Sequence, residues 1–159
     1  PSKQVPHKEK PYFSNRDRLN MLNILIGDYK NVEIDSFELE SKREVNYSID
    51  TIKYLNKKYK KADIYMLIGS DLVENLYCWK DWSEIKESVK LICIQRTGYM
   101  IKNKLKDIKY INDININISS SHIKKLILEK DKENIIEILK YTTDGIVEYI
   151  FKKLKIKLC

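Results

Sequence analysis

Five apolar residues, Ile64-Tyr65-Met66-Leu67-Ile68, run without a polar interruption into Gly69-Ser70-Asp71, and this stretch constrains the fold more than any other. An unbroken apolar strand is the habit of a parallel sheet covered by helices, so the run predicts a strand buried on both faces. In such sheets ligands gather beyond the carboxyl ends of the strands. Gly69 and Asp71 stand at that end and are candidate ligand contacts. Trp79 and Trp82 follow within one short segment and offer flat surfaces to a ring.

The flanking elements alternate as an open α/β sheet requires. Ser14 and Asp17 form an N-cap pair opening a helix whose Leu19, Leu22, Leu25 and Ile26 share a face and whose end is marked by Gly27. Val32–Phe37 alternates as a strand would, and 38–46 reads as a charged loop. Ser48 caps a second helix that turns Ile52, Leu55 and Tyr59 inward. After the Ile64–Ile68 strand come a short helix near Ser83–Ser88 and a strand at Leu91–Ile94, separated by enough chain for a crossover between parallel neighbours. Arg96-Thr97-Gly98 turns the chain, 102–113 carries little periodicity, and Ile114–Ile118 alternates with Asn as a partly exposed strand. From Ser119 onward two helical stripes appear, Ile123, Leu126 and Ile127, then Ile146, Val147, Ile150, Phe151 and Leu154. The expected architecture is an α/β fold, a Rossmann-like open parallel sheet with a C-terminal helical appendage. Residues 1–118 form the body and 119–159 the helical part of the same domain.

Composition narrows the classes. With 159 residues, 43% hydrophobic and 33% charged, and only four Gly and three Pro, the chain has the material for one packed domain and not for a disordered one. No apolar run approaches the roughly 20 residues of a membrane span. Three scattered cysteines make neither a disulfide framework nor a zinc site and suit a reducing cytoplasm. The +7 charge comes from lysines spread along the whole length, with four arginines, which reads as a solvated surface rather than a nucleic-acid face.

Four ordered blocks carry a resemblance. YMLIGSDLVENLYCW (65–79) is similar to a GxDxxxxxxxxW segment, PSKQVPHK (1–8) to PxxxPPHK, NYSIDT (46–51) to SYTxDT, and ISSSHIK (118–124) to ISSTxIR. Arg18-Leu19-Asn20-Met21-Leu22 matches an RxxML helix as well. Together they resemble the bacterial-type nicotinate-nucleotide adenylyltransferases of the nucleotidyltransferase superfamily. That family opens with a strand, a GxFxPxHxGH phosphate loop and a helix, none of which precedes Pro1. The resemblance therefore implies a polypeptide whose N-terminal segment is not in this sequence, and without that strand neighbouring edges and apolar faces are expected to be uncovered.

The resemblance implies transfer of AMP from ATP to nicotinate mononucleotide, with Mg²⁺ held mainly by the substrates' phosphates and no protein metal site. Ser119, Ser120 and Ser121 present hydroxyls and backbone N–H groups at a helix start, either as plain caps or as a phosphate site, and the family block favours the phosphates. Lys124 stands where the family usually has Arg, keeping charge but not the bidentate fork. Lys125 is adjacent but faces elsewhere. Ser119, Ser121 and Lys124 are thus the catalytic candidates, joined for ATP by Gly69, Ser120 and Arg96. For nicotinate mononucleotide the family implies stacking by Trp79, with Trp82 in support, and reception of the ring carboxylate by backbone at Tyr47 and Ser48. Asp71 is expected to accept from ribose or amide donors, and His7 and Lys8 to approach phosphates. Asn46 and Ser48 depart from the usual Ser and Thr. His122 is expected at the surface, and Arg18 to anchor its loop through a carboxylate.

Two other readings compete. One is a basic α/β module that binds nucleotide or RNA without catalysis; the other is the related adenylyltransferase of coenzyme A synthesis. The SYT-like and Trp79 blocks favour nicotinate mononucleotide. Nucleic acid and membrane are not expected partners, and self-association as a homo-oligomer is left open.

Overall fold

A computed structural model describes residues 1–6, 9–27, 29–96, 98–112, 114, 119–129 and 132–156. The chain divides into two compact units, Val45–Asn117 and Pro1–Glu44 with Ile118–Cys159. Chain order alone suggests a break near residue 118; packing also gathers the first 44 residues with the C-terminal helices.

The unit Val45–Asn117 is α/β. Helix α3 (Ser48–Lys58) precedes strand β1 (Tyr65–Gly69), the short helix α4 (Ser70–Val73), a 3₁₀ turn at Leu76–Cys78, helix α5 (Trp82–Ser88), and strands β2 (Lys90–Ile94) and β3 (Ile108–Ile111). The strands are all parallel in the order β1-β2-β3, with Ile68 opposite Cys93 and Cys93 opposite Tyr110. Helices α3 and α5 pack on each other and bury Ile49, Ile52 and Ile85 with Ile68, Leu91, Cys93 and Ile108. Fully burying one such Ile or Leu contributes about 1.5–3 kcal/mol, so this cluster is the unit's main cohesive term.

Burial on both faces of β1 does not hold. Tyr65 is 56% and Leu67 62% exposed, while Ile68 is 4% exposed. Alternate residues of a strand point to opposite faces, and the described helices of this unit cover only the face that holds Ile68.

The second unit holds α1 (Asn15–Ile26), α2 (Phe37–Glu40), α6 (Ser120–Glu129), α7 (Lys132–Leu139) and α8 (Asp144–Leu154). Leu126, Ile127, Ile138, Ile146, Val147, Ile150 and Phe151 form its core, with Phe13, Met21 and Ile123 against it. Both stripes expected after Ser119 are in this cluster. Ser14 caps α1 by accepting from Asp17 N–H, and Gly27 ends the helix at φ 40°, a left-handed value that favours glycine.

Other expectations need correction. Residues 32–36 are not a strand among the described residues: the Asp35 carboxylate accepts from Phe37 N–H and Ser36 Oγ bonds Glu40, which starts the helical turn α2 inside the presumed loop. Leu25 is 45% exposed, because α1 meets its core through Met21 and the buried Asp17 instead. Tyr47, not Ser48, is the N-cap of α3, and Tyr59 lies exposed beyond its end under the Lys58 ammonium. Strand β3 was hidden in the 102–113 stretch. Of the strand expected at 114–118, only Ile114 falls within the described residues.

Candidate active site

Strands β1 and β2 end side by side, since Gly69 is the register partner of Ile94. Two residues beyond each end stand Asp71 and Arg96. Arg96 Nη1 donates to Asp71 Oδ2 at 3.0 Å, and Arg96 N–H donates to the buried Ser70 hydroxyl at 2.9 Å. Gln95 N–H continues the ladder to Ile111 O at 3.0 Å, and Tyr99 N–H returns to Arg96 O. The Arg96 backbone is thus held from both sides.

Gly69 is needed here for volume. Its φ is −81°, open to any residue, but a Cβ would lie 2.4 Å from Asp71 Oδ1 and 3.1 Å from Arg96 Cδ. The carboxylate occupies the space that a side chain would take. Asp71 Oδ1 is buried with no hydrogen-bond partner, so it remains an acceptor awaiting a donor. Nearby, burial pushes the Cys93 thiol up, with the Asp71 charge adding to it, which keeps that thiol protonated and inert.

Trp79 and Trp82 both pack, partly buried, against the core of this unit, as does Tyr47. Trp82 also borders two concavities, of about 110 and 420 Å³; the larger is lined by Val73, Tyr77 and Lys102 as well. Between the indoles Asp81 adopts φ 53°, ψ 43°, a left-handed conformation unusual for a non-glycine residue. Lys80 reaches back so that its ammonium lies 4.7 Å from the centre of the Tyr47 ring. Lys53 is held 2.9 Å from Glu84, which raises its pKa. The structure therefore gathers Tyr47, Ser48, Gly69, Asp71, Trp79 and Arg96 in one unit.

The serine-rich candidates lie in the other unit. Ser119 caps α6, its hydroxyl oxygen accepting from His122 N–H at 3.1 Å while its carbonyl accepts from Ile123 N–H. Capping uses a lone pair and leaves the hydroxyl proton as a donor, so cap and anion contact are compatible. Ser120 opens the helix, and Ser121 and Lys124 are exposed along its first turns. The Lys124 ammonium lies 5.5 Å from the centre of the Tyr12 ring. Lys125 instead pairs with Glu129 at 3.7 Å, and the exposed His122 with Glu137 at 2.8 Å. Arg18 donates to the Asn15 side-chain carbonyl at 2.6 Å rather than to a carboxylate, and its Nε is buried without a partner. His7 and Lys8 lie outside the described residues.

Sequence reasoning gave no role to Ser70 or Lys80. The hydroxyl between Gly69 and Asp71 was the available signal for the first; nothing in sequence pairs Lys80 with Tyr47. Among the described residues, no group of three or more His, Cys, Asp and Glu side chains could hold a metal ion. Asp71, the carboxylate at the strand ends, has its charge balanced by Arg96 through Oδ2, which disfavours a resident Mg²⁺ there. No described helix is long and apolar enough to cross a membrane.

Residues 1–126 match the cytidylyltransferase-like family. The probable nicotinate-nucleotide adenylyltransferase of Aliarcobacter butzleri is 33% identical over 138 residues, covering 84% of this chain and 74% of that protein. Its namesake in Aquifex aeolicus is 36% identical over 104 residues, covering 65% and 61%. The chain spans 61% and 58% of the length of the Aquifex aeolicus and Methylacidiphilum infernorum relatives. Among solved structures, Plasmodium falciparum nicotinic acid mononucleotide adenylyltransferase complexed with NaAD superposes with a TM-score of 0.66 at 26% identity, over 97% of this chain and 80% of that one. With the family model matched over residues 1–126 and a relative 33% identical over 74% of its own length, the chain belongs to the cytidylyltransferase-like family, among its nicotinate-nucleotide adenylyltransferases.

Proposed function

We propose that this protein transfers AMP from ATP to nicotinate mononucleotide, forming deamido-NAD and pyrophosphate, in the cytoplasm. The observation that carries this reading is the Asp71–Arg96 pair just beyond the ends of two parallel strands, with Trp79 and Tyr47 packed against the core of the same unit, in a chain of this family. A phosphate oxygen of the mononucleotide attacks the α-phosphorus of ATP in line. The bond to the β-phosphate oxygen breaks, and pyrophosphate leaves with its electron pair. Such a reaction needs positioning and charge stabilisation rather than a protein nucleophile. ATP enters as its Mg²⁺ complex, the metal being part of the substrate and neutralising phosphate charge.

The residues take the following roles. Arg96, aimed by Asp71 and by the Ser70 hydroxyl, contacts ATP beside Gly69, and Asp71 Oδ1 accepts from a ribose hydroxyl. Ser119, Ser120, Ser121 and Lys124 bind phosphate oxygens through hydroxyls, backbone N–H groups and an ammonium. His7 and Lys8 serve phosphates as well. The Trp79 indole stacks on the pyridinium ring, a cation–π contact of about 0.5–2 kcal/mol, and backbone at Tyr47 and Ser48 receives the ring carboxylate.

The test is to incubate the protein with ATP, Mg²⁺ and nicotinate mononucleotide and to follow pyrophosphate and dinucleotide. Stoichiometric formation of both, abolished by omitting either nucleotide, is expected; pyrophosphate without dinucleotide would overturn the reading. Indole fluorescence assigns the ring contact. Quenching by nicotinate mononucleotide should be largely lost in Trp79→Phe and kept in Trp82→Phe, and the reverse pattern gives the role to Trp82, which borders the open concavities.

A further inference from the structure

The Lys80 ammonium rests on the Tyr47 ring, and among the described residues no carboxylate pairs with it. Lys53, on α3, is by contrast balanced by Glu84 at 2.9 Å. Lys80 directly follows Trp79, and Tyr47 packs with Trp79 against one core cluster. A single lysine thus joins the residue proposed to stack on the pyridine ring to the segment proposed to receive that ring's substituent.

We infer that Lys80 sets the preference for an acid over an amide on the pyridine ring, its ammonium pairing with the carboxylate of nicotinate mononucleotide. This rests on the adenylyltransferase reading above and deepens it. The ring of either mononucleotide carries a positive pyridinium nitrogen. With a carboxylate attached, the ring is neutral overall and its negative end meets the ammonium. With a carboxamide it is cationic, and the same ammonium repels it, the neutral amide oxygen being only a weaker acceptor than a carboxylate. One side chain therefore attracts one substrate and rejects the other, and a specificity difference needs both terms. A cation held only by an aromatic face moves to a carboxylate at small cost, whereas one already ion-paired, as Lys53 is, would first have to break that pair.

The experiment compares kcat/KM for nicotinate and nicotinamide mononucleotides, at saturating ATP, in the wild type and in Lys80→Met, Lys80→Gln, Lys80→Arg and Lys86→Met. Wild type should prefer the acid. Lys80→Met and Lys80→Gln should lower the acid-to-amide ratio by about tenfold or more, the scale of one charged contact, through slower use of the acid and faster use of the amide. Lys80→Arg should hold the ratio, and KM for ATP should stay constant throughout. Lys86→Met removes an exposed charge from α5 and controls for a general field; a ratio that falls equally there overturns the proposal. A wild type that prefers the acid while Lys80→Met keeps the ratio overturns the role of Lys80 alone. A wild type that uses neither mononucleotide overturns the adenylyltransferase reading, and the role of Lys80 with it.

Discussion

The Tyr149 hydroxyl donates to Asp17 Oδ1 at 2.8 Å, tying the last helix of the chain to the first across 132 residues of sequence. Asp17 is only 4% exposed, and three more groups meet its carboxylate or its tyrosine. Ser14 donates to Oδ2 at 2.5 Å, Lys153 lies 3.0 Å from Oδ1, and Asn20 donates to the Tyr149 oxygen at 2.9 Å. A buried carboxylate is tolerated only when its lone pairs are filled in this way. Tyr149→Phe removes one donor and should cost about 1–2 kcal/mol. Asp17→Ala removes the hub and should cost about 2–4 kcal/mol. Urea denaturation checks both, and equal midpoints for wild type and Asp17→Ala would refute the ranking.

The same carboxylate predicts an acid limb in stability. The Ser14 hydroxyl first, then the Tyr149 hydroxyl and Lys153, hold Asp17 well below the usual carboxylate range, against the opposing effect of burial. A depressed folded-state pKa stabilises the fold fully above the unfolded value of about 3.9 and loses that contribution as pH falls below it. The stability gap between wild type and Asp17→Asn should be constant from pH 7 to 5 and narrow between pH 4 and 2. A gap of constant size down to pH 2 would contradict the assignment.

Gly69→Ala should act on activity more than on stability. The new methyl meets the movable end of Asp71 rather than backbone, so the carboxylate swings aside and releases Arg96. We expect a loss of about 1 kcal/mol in unfolding free energy. KM for ATP should rise several-fold, matched by Asp71→Asn. Because both changes break one ion pair, the double variant should be little worse than either single one, and additive effects would separate the two residues.

Lys124→Ala should reduce kcat/KM for ATP by about 1.5–3 kcal/mol, the worth of a charged hydrogen bond, while Lys124→Arg retains or improves it. The side chain is exposed and its ammonium lies over the Tyr12 ring, so thermal unfolding should barely move. Unchanged kinetics in the Ala variant would remove Lys124 from the phosphate site.

Strong periodicity made much of this fold readable. The C-terminal stripes, α5 and β2 follow from spacing, because their apolar residues recur at the helical or strand period and enter a core cluster. Strand β3 escaped because IKYI is four residues long and set among lysines, so only its pairing with β2 declares it. Residues 32–37 misled in the opposite direction. Their alternation suits a strand, but Asp35 satisfies the next helical turn locally. The apolar run predicts burial of β1 on both faces, but such a run reports that a strand is apolar and not what covers it. At the candidate site, motif resemblance singled out Trp79, Tyr47 and Asp71 but not the side chains that Asp71 and Tyr47 meet. Asp71 meets Arg96 across 25 residues, and Lys80 meets Tyr47 across a whole helix and strand. Such pairings depend on tertiary geometry that no local pattern encodes.

The left-handed backbone at Asp81 restricts how this protein can vary. Between the two indoles, position 81 accepts Gly, Asn or Asp readily, whereas a β-branched residue there would cost about 1–2 kcal/mol and turn the chain the other way. Natural or laboratory drift in the aromatic segment is therefore channelled. The course of the chain from Trp79 to Trp82 is passed on through the conformation of position 81 rather than through the rings themselves.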